Sequence, residues 1–81
     1  MTPPQVEPSA QQLELLSLIV CAVAKFHHLS PEEAKDFTLY VETHLVEGRY
    51  HVFSRYTGRS SLRTYLTVVV ERMLLDWRRA R

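Results

Sequence analysis

The chain has one cysteine, two glycines, no arginine before residue 49 and no lysine after residue 35. With Cys21 alone, no internal disulfide is available. Its place in the run LLSLIVCAVAKF predicts a small, buried core residue. That run holds about a dozen residues before charge and histidine intervene, too few to span a bilayer. The opening MTPPQVEPSAQQ has no basic residue ahead of the apolar stretch, so it does not read as a signal peptide, and a cytoplasmic protein is expected. Two glycines make no phosphate-cradling loop.

Length and composition allow one small domain. At 81 residues and 46% hydrophobic, the chain has enough apolar surface for a core and too much for disorder. A chain of this size buries only about 60% of the surface that its unfolded form exposes, so its stability margin is thin.

The formal net charge of +1 conceals a division. Residues 1–48 carry two lysines against seven carboxylates, and residues 49–81 carry eight arginines against two. Such a split predicts two faces with different partners. The basic half is all arginine, whose planar fork suits phosphates and base edges.

Three of the four prolines fall in residues 1–8, which predicts a flexible arm, with a helical domain over 9–81. Leu13, Leu16, Val20, Val23 and Ala24 recur at helical spacing, widened by Leu15, Ile19 and Phe26. A mostly buried helix is therefore expected from Ser9 to about His28. SPEE at 30–33 is a start signal: Ser30 as N-cap, Pro31 at the first helical position and Glu33 closing a capping box. The second helix sets Ala34, Phe37, Val41 and Leu45 on one face and ends at Gly48. Tyr50, Phe53 and Tyr56 suit a short helix, and Gly58 marks a turn. Ser60 or Ser61 caps a last helix, with Leu62, Leu66, Val69, Met73 and Trp77 along one side and Tyr65, Val70 and Leu74 flanking. The fold class is all-α: three main helices and a short connecting one, around Leu16, Val20, Phe37, Val41, Leu66, Val69 and Met73.

Catalytic and metal chemistry find little support. His27-His28, His44 and His51 show no ligand spacing, and neighbouring histidines on a helix point about 100° apart. Ser60 and Ser61 have no histidine or carboxylate beside them, and capping accounts for at least one. No metal, no cofactor and no enzymatic activity are expected. What remains is an interleaving of rings and cations around the Gly58 turn: Tyr50, Phe53, Arg55, Tyr56, Arg59, Arg63 and Tyr65. Aromatic faces stack on unpaired bases while arginines hold the backbone phosphates. Phe53 is expected in the core instead.

The segments SPEEAKDFTLYVETHL and YHVFSRYTGRSSLRTYLTVVVERMLLDWRRAR resemble region 2 of sigma-70-type RNA polymerase sigma factors of the extracytoplasmic-function group. Asp36, Phe37 and Val41 match the family's first helix pattern. Phe53, Gly58, Ser60, Ser61, Arg63, Thr64, Tyr65, Leu66 and Asp76 match its second part, and GRSSLRTYL is the most specific stretch. The likeness spans roughly residues 11–81. The chain departs from the family at Leu39, at Glu42 and over Val68-Val69-Val70-Glu71-Arg72. It has no counterpart of the helix-turn-helix domain that reads the −35 element.

The resemblance implies a promoter-melting module of transcription initiation. Asp36, Tyr40, Thr43 and Glu47 would dock on the clamp coiled coil of the largest subunit of core RNA polymerase. Tyr50, Arg55, Tyr56, Arg59, Ser60, Ser61, Arg63, Thr64, Arg72, Arg78 and Arg79 would engage the single strand of the −10 promoter element. An anti-sigma factor is a further partner of such domains. The alternative is a degenerate sigma-like helical module that acts only in protein–protein interaction.

Overall fold

Each main helix begins with a serine whose hydroxyl satisfies backbone donors that the helix itself leaves open. In the computed structural model, which describes residues 8–48 and 50–81, α1 runs Ala10–Phe26, α2 Pro31–Glu47, α3 His51–Ser54 and α4 Leu62–Arg79. The arm expected over residues 1–8 lies outside the described residues except for Pro8. Ser9 and Gln12 form a reciprocal capping box at α1, as Ser30 and Glu33 do at α2. Ser61, rather than Ser60, caps α4: its Oγ accepts the Thr64 N–H at 3.1 Å and donates to Thr64 Oγ1 at 2.9 Å.

The helix ends are less conventional. α1 stops at Phe26, two residues before the expected end, because His28 adopts a left-handed φ of 58°. The Leu29 N–H then reaches the Ala24 carbonyl at 3.0 Å, and the His28 N–H reaches that of Lys25 at 3.1 Å. This closes the helix in the manner of a glycine-terminated one, with histidine in glycine's usual place. Leu29 packs back on the core and completes the stop. α2 ends at Gly48 as expected, although Gly48 has φ −80° and does not use glycine's freedom. Tyr50 takes the left-handed φ of 61°, and its N–H bonds the Leu45 carbonyl at 2.9 Å.

Three long-range contacts set the helix directions. Arg78 donates to the His27 carbonyl at 3.3 Å, so the ends of α1 and α4 lie together. Trp77 donates to Asp36, and Arg81 to Glu33, so the start of α2 meets the end of α4. Hence α1 and α4 run side by side in the same direction, with α2 antiparallel to both. The short α3 lets the chain cross from the end of α2 to the start of α4. The Tyr65 hydroxyl donates to the Val52 carbonyl at 2.7 Å and fastens α3 to α4.

The fold is all-helical, as expected, with its core at the junction of the three long helices. Phe37, Val41, Leu66, Val70 and Leu74 are almost wholly buried. Residues of that size each contribute about 1.5–3 kcal/mol by leaving water. Phe37 also meets Trp77 ring to ring, with centroids 5.5 Å apart. Three expectations are corrected. The buried row of α4 is Leu66, Val70, Leu74 and Trp77, whereas Val69 and Met73 are only half-buried. Cys21 is exposed. Leu13, Leu18 and Phe26 are exposed too, so α1 buries a narrower stripe than its composition indicates. In each case the helix is apolar on more sides than its neighbours cover.

Candidate nucleic-acid interface

The segment between α3 and α4 holds itself in shape. Gly58 turns with φ 81°, and nothing lies within 4 Å of where its side chain would project. The Tyr56 hydroxyl donates to the Ser60 carbonyl and closes the loop on itself. The Tyr56 ring lies against Tyr65, centroids 5.3 Å apart and tilted by 40°. A half-buried aromatic pair therefore floors the loop, and Arg55 and Arg59 stand exposed beside it. Among the described residues, neither arginine has a carboxylate partner.

Not every predicted nucleic-acid residue joins this group. Arg55, Tyr65 and Arg72 line one groove with His51, Val52, Val68, Val69, Met73 and Asp76. Arg79 lies seven residues beyond Arg72, about two turns along, and so extends the same side of α4. Arg63 lies nine residues before Arg72, about two and a half turns, which puts it on the opposite side. It lines the α1–α4 groove with Leu15, Leu18, Thr67 and Glu71. Ser61 and Thr64 are committed to the α4 cap, and the Ser60 hydroxyl donates to the Ser61 carbonyl at 3.3 Å.

Two of the predicted residues have partners elsewhere in the fold. Arg78 is turned to the end of α1 by its bond to the His27 carbonyl, and Arg81 pairs with Glu33 at 2.8 Å while lying over the Trp77 ring. Tyr50 is half-buried against the core and lines the groove between α1 and α2. The basic surface toward the loop is thus Arg55, Arg59 and Arg72 near Tyr56 and Tyr65. Arg79 lies at the far end of the eighteen-residue α4, about 27 Å from its start and next to the Arg78–Arg81 cluster.

The four residues assigned to the second partner face divide less. Asp36, Tyr40 and Thr43 line one groove with Leu39, His44, Trp77, Ala80 and Arg81, while Glu47 lies beyond it. Asp36 is exposed but already holds a bond within the fold. Its Oδ2 accepts the Trp77 indole N–H at 3.0 Å. Tyr40 stacks on His44, centroids 4.0 Å apart, and His44 Nδ1 sits 3.0 Å from the Tyr40 carbonyl. The Arg81 guanidinium, followed by the Ser30 backbone and hydroxyl, holds the Glu33 carboxyl down from 4.5 to about 2. The Trp77–Asp36 bond and the Arg81–Glu33 pair escaped the sequence reading.

Among the described residues no group of three or more histidine, cysteine or acidic side chains is placed to hold a metal ion. No helix there is long and apolar enough to cross a membrane. No protein-family model, curated protein or solved structure matches the chain.

Proposed function

We propose that the chain is a non-enzymatic, region-2-like module of a sigma-70-type transcription initiation factor. It docks on core RNA polymerase through α2 and holds the single strand of the −10 promoter element against the α3–α4 face. The observation that carries this reading is the set of guanidiniums, Arg55, Arg59 and Arg72, none of them ion-paired among the described residues, near the Tyr56–Tyr65 pair. Unpaired cations beside aromatic rings are what a strand with splayed bases requires: charge for the phosphates and a platform for the bases. Base–aromatic stacking is worth about 1–3 kcal/mol per base. A strand already open costs less to read than a duplex from which a base must be extruded.

The testing experiment is fluorescence anisotropy of the chain with single-stranded and duplex −10-like oligonucleotides at several salt concentrations. Weak, salt-sensitive binding that prefers the single strand supports the reading, and so does capture of core polymerase. No binding even at low salt overturns the nucleic-acid role. The protein-interaction alternative then gains from a specific feature: Leu18, Phe26, Leu39, Val46, Val68 and Leu75 are each more than half exposed. Where such residues adjoin, as Leu18 and Phe26 do in one groove, uncovered apolar surface marks a face that binds another protein.

A further inference from the structure

The α1–α4 groove lies across α4 from the proposed nucleic-acid face, and its features point to a specific occupant. Its floor is Ile19 and Val23, and its walls are Leu15, Leu18, Ala22 and Phe26 on α1 and Arg63, Thr67 and Glu71 on α4. Leu18 is 62% exposed and Phe26 76%, although both are large and apolar. The α4 wall is a row at spacing four, with a cation at one end, a small residue in the middle and an anion at the other end. Arg63 and Glu71 are about 12 Å apart along the helix, too far to satisfy each other. Among the described residues, neither has an ion-pair partner.

A row that reads plus, neutral, minus is complementary to itself reversed. We propose that this face is the interface of a symmetric dimer, in which a second copy of the chain lies across the groove with its α4 antiparallel. The two-fold axis passes beside Thr67. Arg63 of each copy then faces Glu71 of the other, twice over, as an isologous contact requires. On α1, which runs alongside α4, the same axis sets Leu18 opposite Ala22 and Leu15 opposite Phe26. Each large side chain meets a smaller one, so the two ridges interdigitate. Apolar area drives the association and the two charge pairs fix its register. Because Arg72 is on the other side of α4, the dimer leaves Arg55, Arg59 and Arg72 uncovered, and the proposal stands apart from the nucleic-acid reading.

The test is a concentration series by analytical ultracentrifugation on the full chain, in the wild type and in Arg63→Glu and Glu71→Arg. The wild type should pass from monomer to dimer. In each single variant two attractive pairs become two repulsive ones, so the dissociation constant should rise about tenfold. A mixture of the two variants should dimerise again, because one copy then offers two glutamates and the other two arginines at the meeting points. Both substituted positions are exposed, and circular dichroism of each variant checks that the fold is kept. Leu18→Asp, also at an exposed position, should abolish the dimer without changing helicity. A wild type that stays monomeric throughout overturns the proposal and leaves the face to a different protein. So does a dimer indifferent to these substitutions, or a mixture that remains dissociated. A parallel arrangement would set Arg63 against Arg63 and Glu71 against Glu71, like charges in the wild type and in each single variant alike, so neither single substitution would weaken it.

Discussion

Trp77 donates its indole N–H to Asp36 Oδ2 at 3.0 Å, joining the end of α4 to the start of α2 across 41 residues of chain. The ring packs on Phe37, and Arg81 covers it at 4.5 Å. Asp36→Ala leaves a partly buried N–H without an acceptor and should cost about 1–2 kcal/mol. Asp36→Asn retains an acceptor oxygen and should cost less. Urea unfolding of both variants measures the difference. If the two are equally destabilised, the hydrogen bond is not what Asp36 contributes. Because Asp36 supports the fold, Thr43→Arg is the cleaner probe of polymerase docking by α2. It should weaken binding with no change in helicity.

Glu33 gives the fold an acid limit with a defined sign. Arg81, then Ser30, lowers its carboxyl from 4.5 to about 2 in the folded chain, so the native state binds this proton less readily than the unfolded state does. The resulting stabilisation is complete above about pH 4.5 and disappears as the pH falls toward 2. Thermal melts across that window should show the wild type losing stability faster than Glu33→Gln. Arg81→Ala should shrink the same slope while leaving the Ser30 cap in place. The pair is solvent-accessible, so salt should also flatten the difference. Parallel curves for wild type and Glu33→Gln would dissociate this carboxyl from the acid transition.

The register of α4 separates two adjacent leucines. Leu74 is buried and Leu75 is 52% exposed. Leu74→Ala should therefore cost about 2–5 kcal/mol, the range for emptying a core site. Leu75→Ala should stay within about 0.5 kcal/mol. Chemical denaturation compares them directly, and similar losses would mean that α4 is turned differently on α1 and α2.

That register was only partly legible in the sequence, and the reason is physical. Serine caps and helical spacing located all four helices, because those signals act within a few residues. In α4, however, Val68, Val69, Val70, Met73, Leu74 and Leu75 put apolar groups on several sides. Which side is buried depends on where Phe37 and Trp77 sit, and that is tertiary information. Cys21 went astray likewise, within a run apolar on every face. His28 gave no warning of a left-handed helix stop, since histidine usually leaves that position to glycine. The candidate site divided along the same line. The described arginines are close along the chain but separate in space: Arg55, Arg59 and Arg72 toward the loop face, Arg79 farther along the same side of α4, Arg63 across the helix, and Arg78 and Arg81 bound to partners 51 and 48 residues away.

This division yields a prediction that linear charge counting does not. If every arginine of residues 49–81 served phosphates equally, removing any one would reduce the salt dependence of single-strand binding by the same amount. The geometry ranks them instead. Arg72 is exposed, has no ion-pair partner among the described residues, and shares a groove with Arg55 and Tyr65. Arg78 is held at the end of α1 by the His27 carbonyl. Arg72→Ala should lower the slope of log affinity against log salt by about 0.7, the contribution of one phosphate contact on a single strand. Arg78→Ala should leave the slope unchanged and appear as a small loss of thermal stability. Tyr56→Ala acts on a different term: it removes the ring that floors the loop, so affinity should fall at every salt concentration with the slope preserved. Anisotropy titrations of the three variants at four or more salt concentrations separate these effects. Equal slopes for Arg72→Ala and Arg78→Ala would mean that binding follows overall charge, and the α3–α4 face would lose its claim to the strand.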